Sequence, residues 1–231
     1  MEQQLGLNIV LNDEFTFQNF LKEENIILYD NLFASISFKP NSERIFYLWG
    51  ASGSGKSHLL KASCHYLGNQ PCAYIPLKQF KTASPDILEN LEQLSLVAID
   101  DLDEIAQNPI WEESLFHLYN KIFLNEKTRL LITGKQPIAS MNIHLPDFRS
   151  RLSAGMVFHL VMLEEQNRIK LLQQKAEKRG LFLPGEVAHF LMSRCPRNTG
   201  ELISILDQLD KAAWIAKHRL TIPFVKKTLS L

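Results

Sequence analysis

The sequence predicts an α/β protein: a core of five parallel strands interleaved with helices around a phosphate-binding loop, then a small C-terminal lobe built from helices alone. Three observations carry this. The segment Gly50-Ala51-Ser52-Gly53-Ser54-Gly55-Lys56-Ser57 has G-x-x-x-x-G-K-[ST] spacing and directly follows the apolar run Ile45-Phe46-Tyr47-Leu48-Trp49. Further short apolar runs recur downstream with helical segments between them, the pattern of a parallel sheet covered on both faces. From residue 164 onward only helical periodicity continues.

The elements follow in order. Ile45–Trp49 reads as the first strand and about 56–68 as the helix opened by the loop. Cys72–Pro76 is the second strand, Asp86–Leu91 a short helix, and Leu96–Asp100 the third strand. An amphipathic helix is expected over 110–124, a fourth strand over Arg129–Thr133 and a fifth over Met156–Leu160. In the last lobe, helices are expected over 164–179 (stopped by Gly180), 184–194 (opened by Pro184), 198–218, and after Thr221. Ligands of such sheets bind at the carboxyl ends of the strands.

Each residue of the loop has a chemical task. Glycines at 50, 53 and 55 let backbone N–H groups converge on a phosphate chain, and the helix opening at Lys56 adds its positive end. Gly50, Ser52, Gly53, Ser54, Gly55, Lys56, Ser57 and His58 are therefore the candidate phosphate contacts, with Lys56 on the β/γ-phosphates and Ser57 on Mg2+. Asp100, ending an apolar strand, is the second Mg2+ candidate, held through the ion's water shell. At Asp101 two roles are open: orienting an attacking water, or capping a following helical stretch. Thr133 ends the fourth strand, where it either senses the γ-phosphate or takes part in a turn with Gly134. Arg149 and Arg151 read as a charged surface pair or as guanidinium donors to a nucleotide held by a neighbouring subunit.

Composition sets outer limits. Formal net charge is zero, but residues 1–160 carry 13 Lys/Arg against 18 Asp/Glu, whereas 161–231 carry 12 against 7. No overall basic character therefore marks nucleic acid as a direct partner. Cys64, Cys72 and Cys195 lack metal-ligand spacing and read as reduced thiols. With no signal pattern and no apolar run of spanning length, a cytoplasmic protein without membrane contact is expected.

Taken together, the phosphate loop, the Leu-Val-Ala-Ile-Asp-Asp strand, the Leu-Leu-Ile-Thr-Gly strand, Ser150-Arg151-Leu152 and the helical lobe resemble the AAA+ module of the bacterial replication initiator DnaA. Within that family the resemblance is to the shorter regulatory relatives of the Hda type, and it covers nearly the whole chain. It is carried most specifically by Lys127-Thr128-Arg129-Leu130-Leu131-Ile132-Thr133-Gly134, Leu206-Asp207-Gln208-Leu209-Asp210 and Leu220-Thr221-Ile222-Pro223-Phe224-Val225-Lys226. The resemblance implies an AAA+ core over 13–160 and a lid over 161–231. It makes Arg151, not Arg149, an arginine finger acting in trans on ATP bound to the initiator, and places Phe20 and Asn25 beside the adenine. On residue type alone Phe15, Phe17 and Phe20 read equally well as core.

Gln4-Leu5-Gly6-Leu7-Asn8-Ile9 looks like the glutamine-led peptide that docks on the sliding clamp of DNA polymerase, so that 1–12 would form a clamp-binding segment with Gln4, Leu5, Leu7 and Ile9 as contacts. The chain stops where the lid ends, without the initiator's DNA-binding domain, so DNA contact is expected to be indirect or weak. The implied function is repression of re-initiation: tethered to a DNA-loaded clamp, the protein stimulates hydrolysis of DnaA-bound ATP. Two departures bear on its own turnover. Lys135 stands where the initiator has an acidic residue, and Gly200 where the lid arginine stands, with Arg197 one helical turn away as the substitute. ADP rather than ATP is thus the expected resident nucleotide, with weak or no hydrolysis, and homodimers that bury Arg151 are conceivable. The rival readings are an autonomous P-loop ATPase or small-molecule kinase, and a helicase-loader adaptor.

Overall fold

The structure, a computed structural model, describes residues 15–195 and 198–231. Its first unit contains a five-stranded sheet, β1 (Ile45–Trp49), β2 (Cys72–Pro76), β3 (Leu96–Asp100), β4 (Arg129–Gly134) and β5 (Met156–His159), in the order β2-β3-β4-β1-β5. All four pairings are parallel. The two-residue period of a strand sends alternate side chains to opposite faces, and here both faces are apolar. Tyr47, Ile75, Val97, Ile99 and Ile132 pack on α3 (Pro109–Leu124) and α4 (Pro146–Ala154). Phe46, Leu48, Leu96, Ala98 and Leu131 pack on α1 (Ile26–Ile36) and α2 (Lys56–Leu67).

The register is what positions the site. Trp49 lies beside Gly134 and Asp100 beside Pro76, so the carboxyl ends of β1 to β4 finish at one edge of the sheet. The glycine loop leaves β1 at that edge and turns into α2.

Three elements differ from the sequence reading. The short helix expected over 86–91 is instead a pair of 3-10 turns, Pro85–Leu88 and Leu91–Gln93, because Asn90 between them takes a left-handed conformation at φ 62°. Helix α1 was not anticipated, although Leu28, Leu32, Ser35 and Ile36 lie buried at helical spacing. Helix α4, which carries Arg149 and Arg151, was not anticipated either: its nine residues bury only Phe148 and Leu152, too few for periodicity to register.

The second unit comprises Met162–Leu231 together with Ser52–Ser54 of the glycine loop, and its regular elements are helices: α5 (Glu165–Glu177), α6 (Gly185–Arg194), α7 (Thr199–Ala216) and α8 (Ile222–Leu229). It has its own core, with Leu172, Val187, Leu191, Leu202, Leu206, Leu209 and Val225 all buried. Thr221 caps α8 by accepting the Phe224 N–H at 3.4 Å. No helix among the described residues is long and apolar enough to cross a membrane.

Candidate functional site

The loop between β1 and α2 depends on glycine at two points. Gly53 and Gly55 adopt φ values of 81° and 105°, where other side chains are strained. Gly55 has a second constraint, since a Cβ there would meet the Phe20 ring at 2.9 Å. Lys56, 5% exposed, folds its ammonium back onto the loop and donates to the carbonyls of Gly50 at 2.6 Å and Ala51 at 2.9 Å. Burial lowers its pKa, while the carboxylates of Asp101 and Asp100 oppose that shift. Ser57 follows in the first turn of α2, and the buried Ser54 hydroxyl finds no hydrogen-bond partner among the described residues.

Across the strand ends lies a connected polar cluster. Asp100 is buried and accepts two hydroxyls, Thr133 at 2.5 Å and Tyr74 at 2.7 Å, one on each carboxylate oxygen. The same Thr133 hydroxyl accepts the Asp101 N–H at 3.0 Å. Thr133 is thus tied to the acidic pair rather than spent on a turn. Asp101 is in a left-handed conformation at φ 61° and heads a 3-10 turn, Leu102–Glu104, without capping it by its side chain. Burial raises its pKa, and the neighbouring Asp100 raises it further.

Lys135 donates from its ammonium to Glu104 at 2.6 Å and from its backbone N–H to Asp103 at 2.6 Å. Lys81 pairs with the same Glu104, and hydrogen bonds from the two ammoniums draw that carboxyl down from 4.5 to about 2. The sheet tip beyond Asp101 therefore alternates acid and base.

The side of the loop toward α1 is aromatic. Phe20 stacks on Tyr29 with centroids 6.1 Å apart and lies 5.7 Å from the His58 ring, whose Nε2 hydrogen-bonds the Thr16 carbonyl at 2.9 Å. Asn25 is buried, and its side-chain amide brackets the backbone of Val161, donating at 2.9 Å and accepting at 2.8 Å. Phe20 adjoins the loop, whereas both polar atoms of Asn25 are committed to the segment after β5. Gln4, Leu5, Leu7, Ile9 and Arg197 lie outside the described residues.

Helix α4 separates its two arginines. Arg149 turns back and donates to the Ile143 carbonyl. Arg151 is exposed, with its guanidinium 5.6 Å from the centroid of the Phe123 ring. Sequence reasoning missed Tyr74, Tyr119 and Glu112. The available signal for Glu112 was a carboxylate on the buried stripe of α3, between Trp111 and Leu115.

A magnesium-bound nucleotide fits these residues. The Ser54 hydroxyl needs a partner, Lys56 holds only neutral carbonyls, and glycines admit a close approach. Among the described residues no three His, Cys, Asp or Glu form a metal cage. Magnesium at this site would therefore take most of its ligands from phosphate and water, with Ser57 and Asp100 as the protein side.

Comparison with known proteins places the molecule. The sequence model of the bacterial DnaA ATPase domain matches residues 11–159, and that of the Hda lid domain matches 165–229. An uncharacterized protein of Haemophilus influenzae is 43% identical over 233 residues, covering 100% of both chains. Domain III of the DnaA protein of Thermotoga maritima has the same fold, with a TM-score of 0.81 at 19% identity over 95% of this chain and 97% of that one. AMPPCP-bound DnaA from Aquifex aeolicus aligns with a TM-score of 0.73 at 21% identity, over 86% of this chain and 65% of that longer one. With a DnaA-type core and an Hda-type lid in one sequence, the chain belongs to the DnaA- and Hda-related family of AAA+ proteins.

Proposed function

We propose that this protein is a nucleotide-bound regulator that stimulates hydrolysis of ATP on a DnaA initiator and so represses re-initiation of replication. One observation carries the reading: both arginines of α4 are exposed, but Arg149 is spent on the Ile143 carbonyl, whereas the Arg151 guanidinium rests on the Phe123 ring face. In the chain's own site, Lys56, Ser54 and the loop backbone would hold the phosphates of ADP, while Ser57 and Asp100 would serve Mg2+. Phe20 and His58 flank the loop on the adenine side, a role in keeping with the AMPPCP bound by the Aquifex relative. Asp101 supplies a carboxylate for orienting water. Its bond to Thr133 uses the backbone N–H and leaves that carboxylate uncommitted; Lys135, paired with Glu104 beside it, and Gly200 in the lid favour retention of nucleotide over turnover.

Arg151 would supply positive charge to a phosphoryl group on the partner's nucleotide, where such a guanidinium is worth roughly 10³–10⁵ in rate. Tethering to the polymerase sliding clamp through Gln4, Leu5, Leu7 and Ile9 completes the proposal and rests on the peptide's sequence. DNA contact is then indirect, and the site of action is the cytoplasm.

The deciding experiment measures phosphate release from ATP-loaded initiator in the presence of DNA-loaded clamp. Arg151→Ala should retain ADP and clamp binding and lose stimulation by about 10³-fold or more. Stimulation at the wild-type rate would remove the finger assignment. A clamp pull-down with Leu5→Ala/Leu7→Ala tests the tether separately: undiminished capture refutes it.

A further inference from the structure

We infer that α3 is the mount that fixes the arginine helix, with Glu112 and Tyr119 as positioning residues for Arg151. This rests on the trans-acting reading of Arg151. Glu112 is 1% exposed, yet among the described residues no cation pairs with it. Its carboxylate accepts three backbone N–H groups instead: Gln107 at 3.0 Å on one oxygen, His144 at 2.8 Å and Leu145 at 2.9 Å on the other. Leu145 is the N-cap residue immediately before α4, and its side chain provides no cap. Glu112 therefore supplies from another helix the acceptor that the start of α4 lacks.

Two turns further along the same face of α3, the buried Tyr119 hydroxyl donates to the Arg151 carbonyl at 2.9 Å. One more turn on, Phe123 stacks with Tyr119 at 6.4 Å and lies under the Arg151 guanidinium. Positions 112, 119 and 123 form one stripe at helical spacing. It holds the start of α4, the backbone at Arg151 and the cationic head in turn.

Apolar packing alone, through Phe148 and Leu152, would join α3 to α4. A carboxylate in that interface is stable only because its acceptors are filled, and such directional bonds fix rotation and register where apolar contacts leave both soft. A finger acts only if its guanidinium meets the transferring phosphoryl group, and a misplacement of about 1 Å costs roughly a hundredfold. The polar mount serves that requirement.

The test compares wild type with Glu112→Gln, Tyr119→Phe and Arg151→Ala as full-length proteins. Stimulated hydrolysis is titrated so that the maximal rate and the half-saturating concentration separate, and hydrogen exchange is followed across residues 144–154. For Glu112→Gln the maximal rate should fall about a hundredfold, while half-saturation and ADP affinity stay within about twofold of wild type. Tyr119→Phe, which keeps the ring, should fall in the same sense by less. Exchange across 144–154 should rise about tenfold in Glu112→Gln and remain unchanged in β3 and β4.

Full stimulation by both mount variants, with Arg151→Ala inactive, overturns the mount and leaves the finger standing. Full stimulation by Arg151→Ala removes the finger reading instead. Unaltered exchange across α4 in Glu112→Gln overturns the mount whichever way the hydrolysis assay falls.

Discussion

The phosphate loop and the arginine helix each hold a cation, in opposite ways. Lys56 is buried and bonded to carbonyls five and six residues before it, so its setting is built from one short stretch of chain. Arg151 is exposed, and what fixes its helix comes from α3, more than thirty residues earlier. A site proposed to grip a ligand can be assembled locally, because loop, ammonium and helix end come from one short stretch of chain. A group offered to another molecule keeps its own head free, so its order has to come from distant side chains holding the backbone.

The largest expected effect on nucleotide affinity breaks the comparison at its gripping end. Lys56→Ala removes a charge-assisted donor worth about 2–3 kcal/mol, so ADP affinity should fall roughly 30- to 150-fold in calorimetric titration. Arg151→Ala should leave that affinity within about twofold. Equal losses in the two variants would mean that the cations share one site, and the contrast would fail.

Next in size is the cluster that joins β3 to β4. Thr133→Val keeps the shape of the side chain but deprives Asp100 of one donor and the Asp101 N–H of its acceptor. Leaving such groups unpaired costs about 1–3 kcal/mol, which urea unfolding should register as a lower midpoint at unchanged slope. Nucleotide affinity should also drop, because Asp101 is held in its left-handed conformation partly by that bond. A variant as stable as wild type would mean that Thr133 contributes no more than any strand end.

These two regions also differ in how far the sequence discloses them. The strand-loop-helix unit was legible because its residues are consecutive and each has a fixed task, and the β3 and β4 tips because apolar runs end there in Asp100 and Thr133. Helix α4 was not: it is short, its apolar pair is too sparse for periodicity, and its stability is borrowed from Glu112 and Tyr119. Tyr74 was hidden for a related reason. A tyrosine in an apolar strand reads as packing, and only the parallel register beside β3 reveals its hydroxyl on Asp100. Long-range hydrogen bonds between elements leave no periodic trace, so the polar mount and the Asp100 network emerge only with the tertiary structure.

The smallest expected effect sharpens the comparison at the sheet tip. Glu104 is drawn from 4.5 to about 2 by Lys135 and Lys81. A carboxyl whose folded value is depressed stabilises the folded state above its unfolded value, and that contribution is lost as pH falls from about 4.5 toward 2. Glu104→Gln should therefore be less stable than wild type near neutrality, with the gap closing across that interval in thermal melts. Both lysines are about half exposed, at 52% and 51%, so solvent and salt screen the pairs and the gap should be about 1 kcal/mol or less, shrinking further in molar salt. In Thr133→Val, whose lost bonds are one buried and one part-buried and involve no exposed ion pair, added salt should change little. A salt-insensitive Glu104 gap would place that ion pair with the buried gripping machinery rather than with the solvated rim.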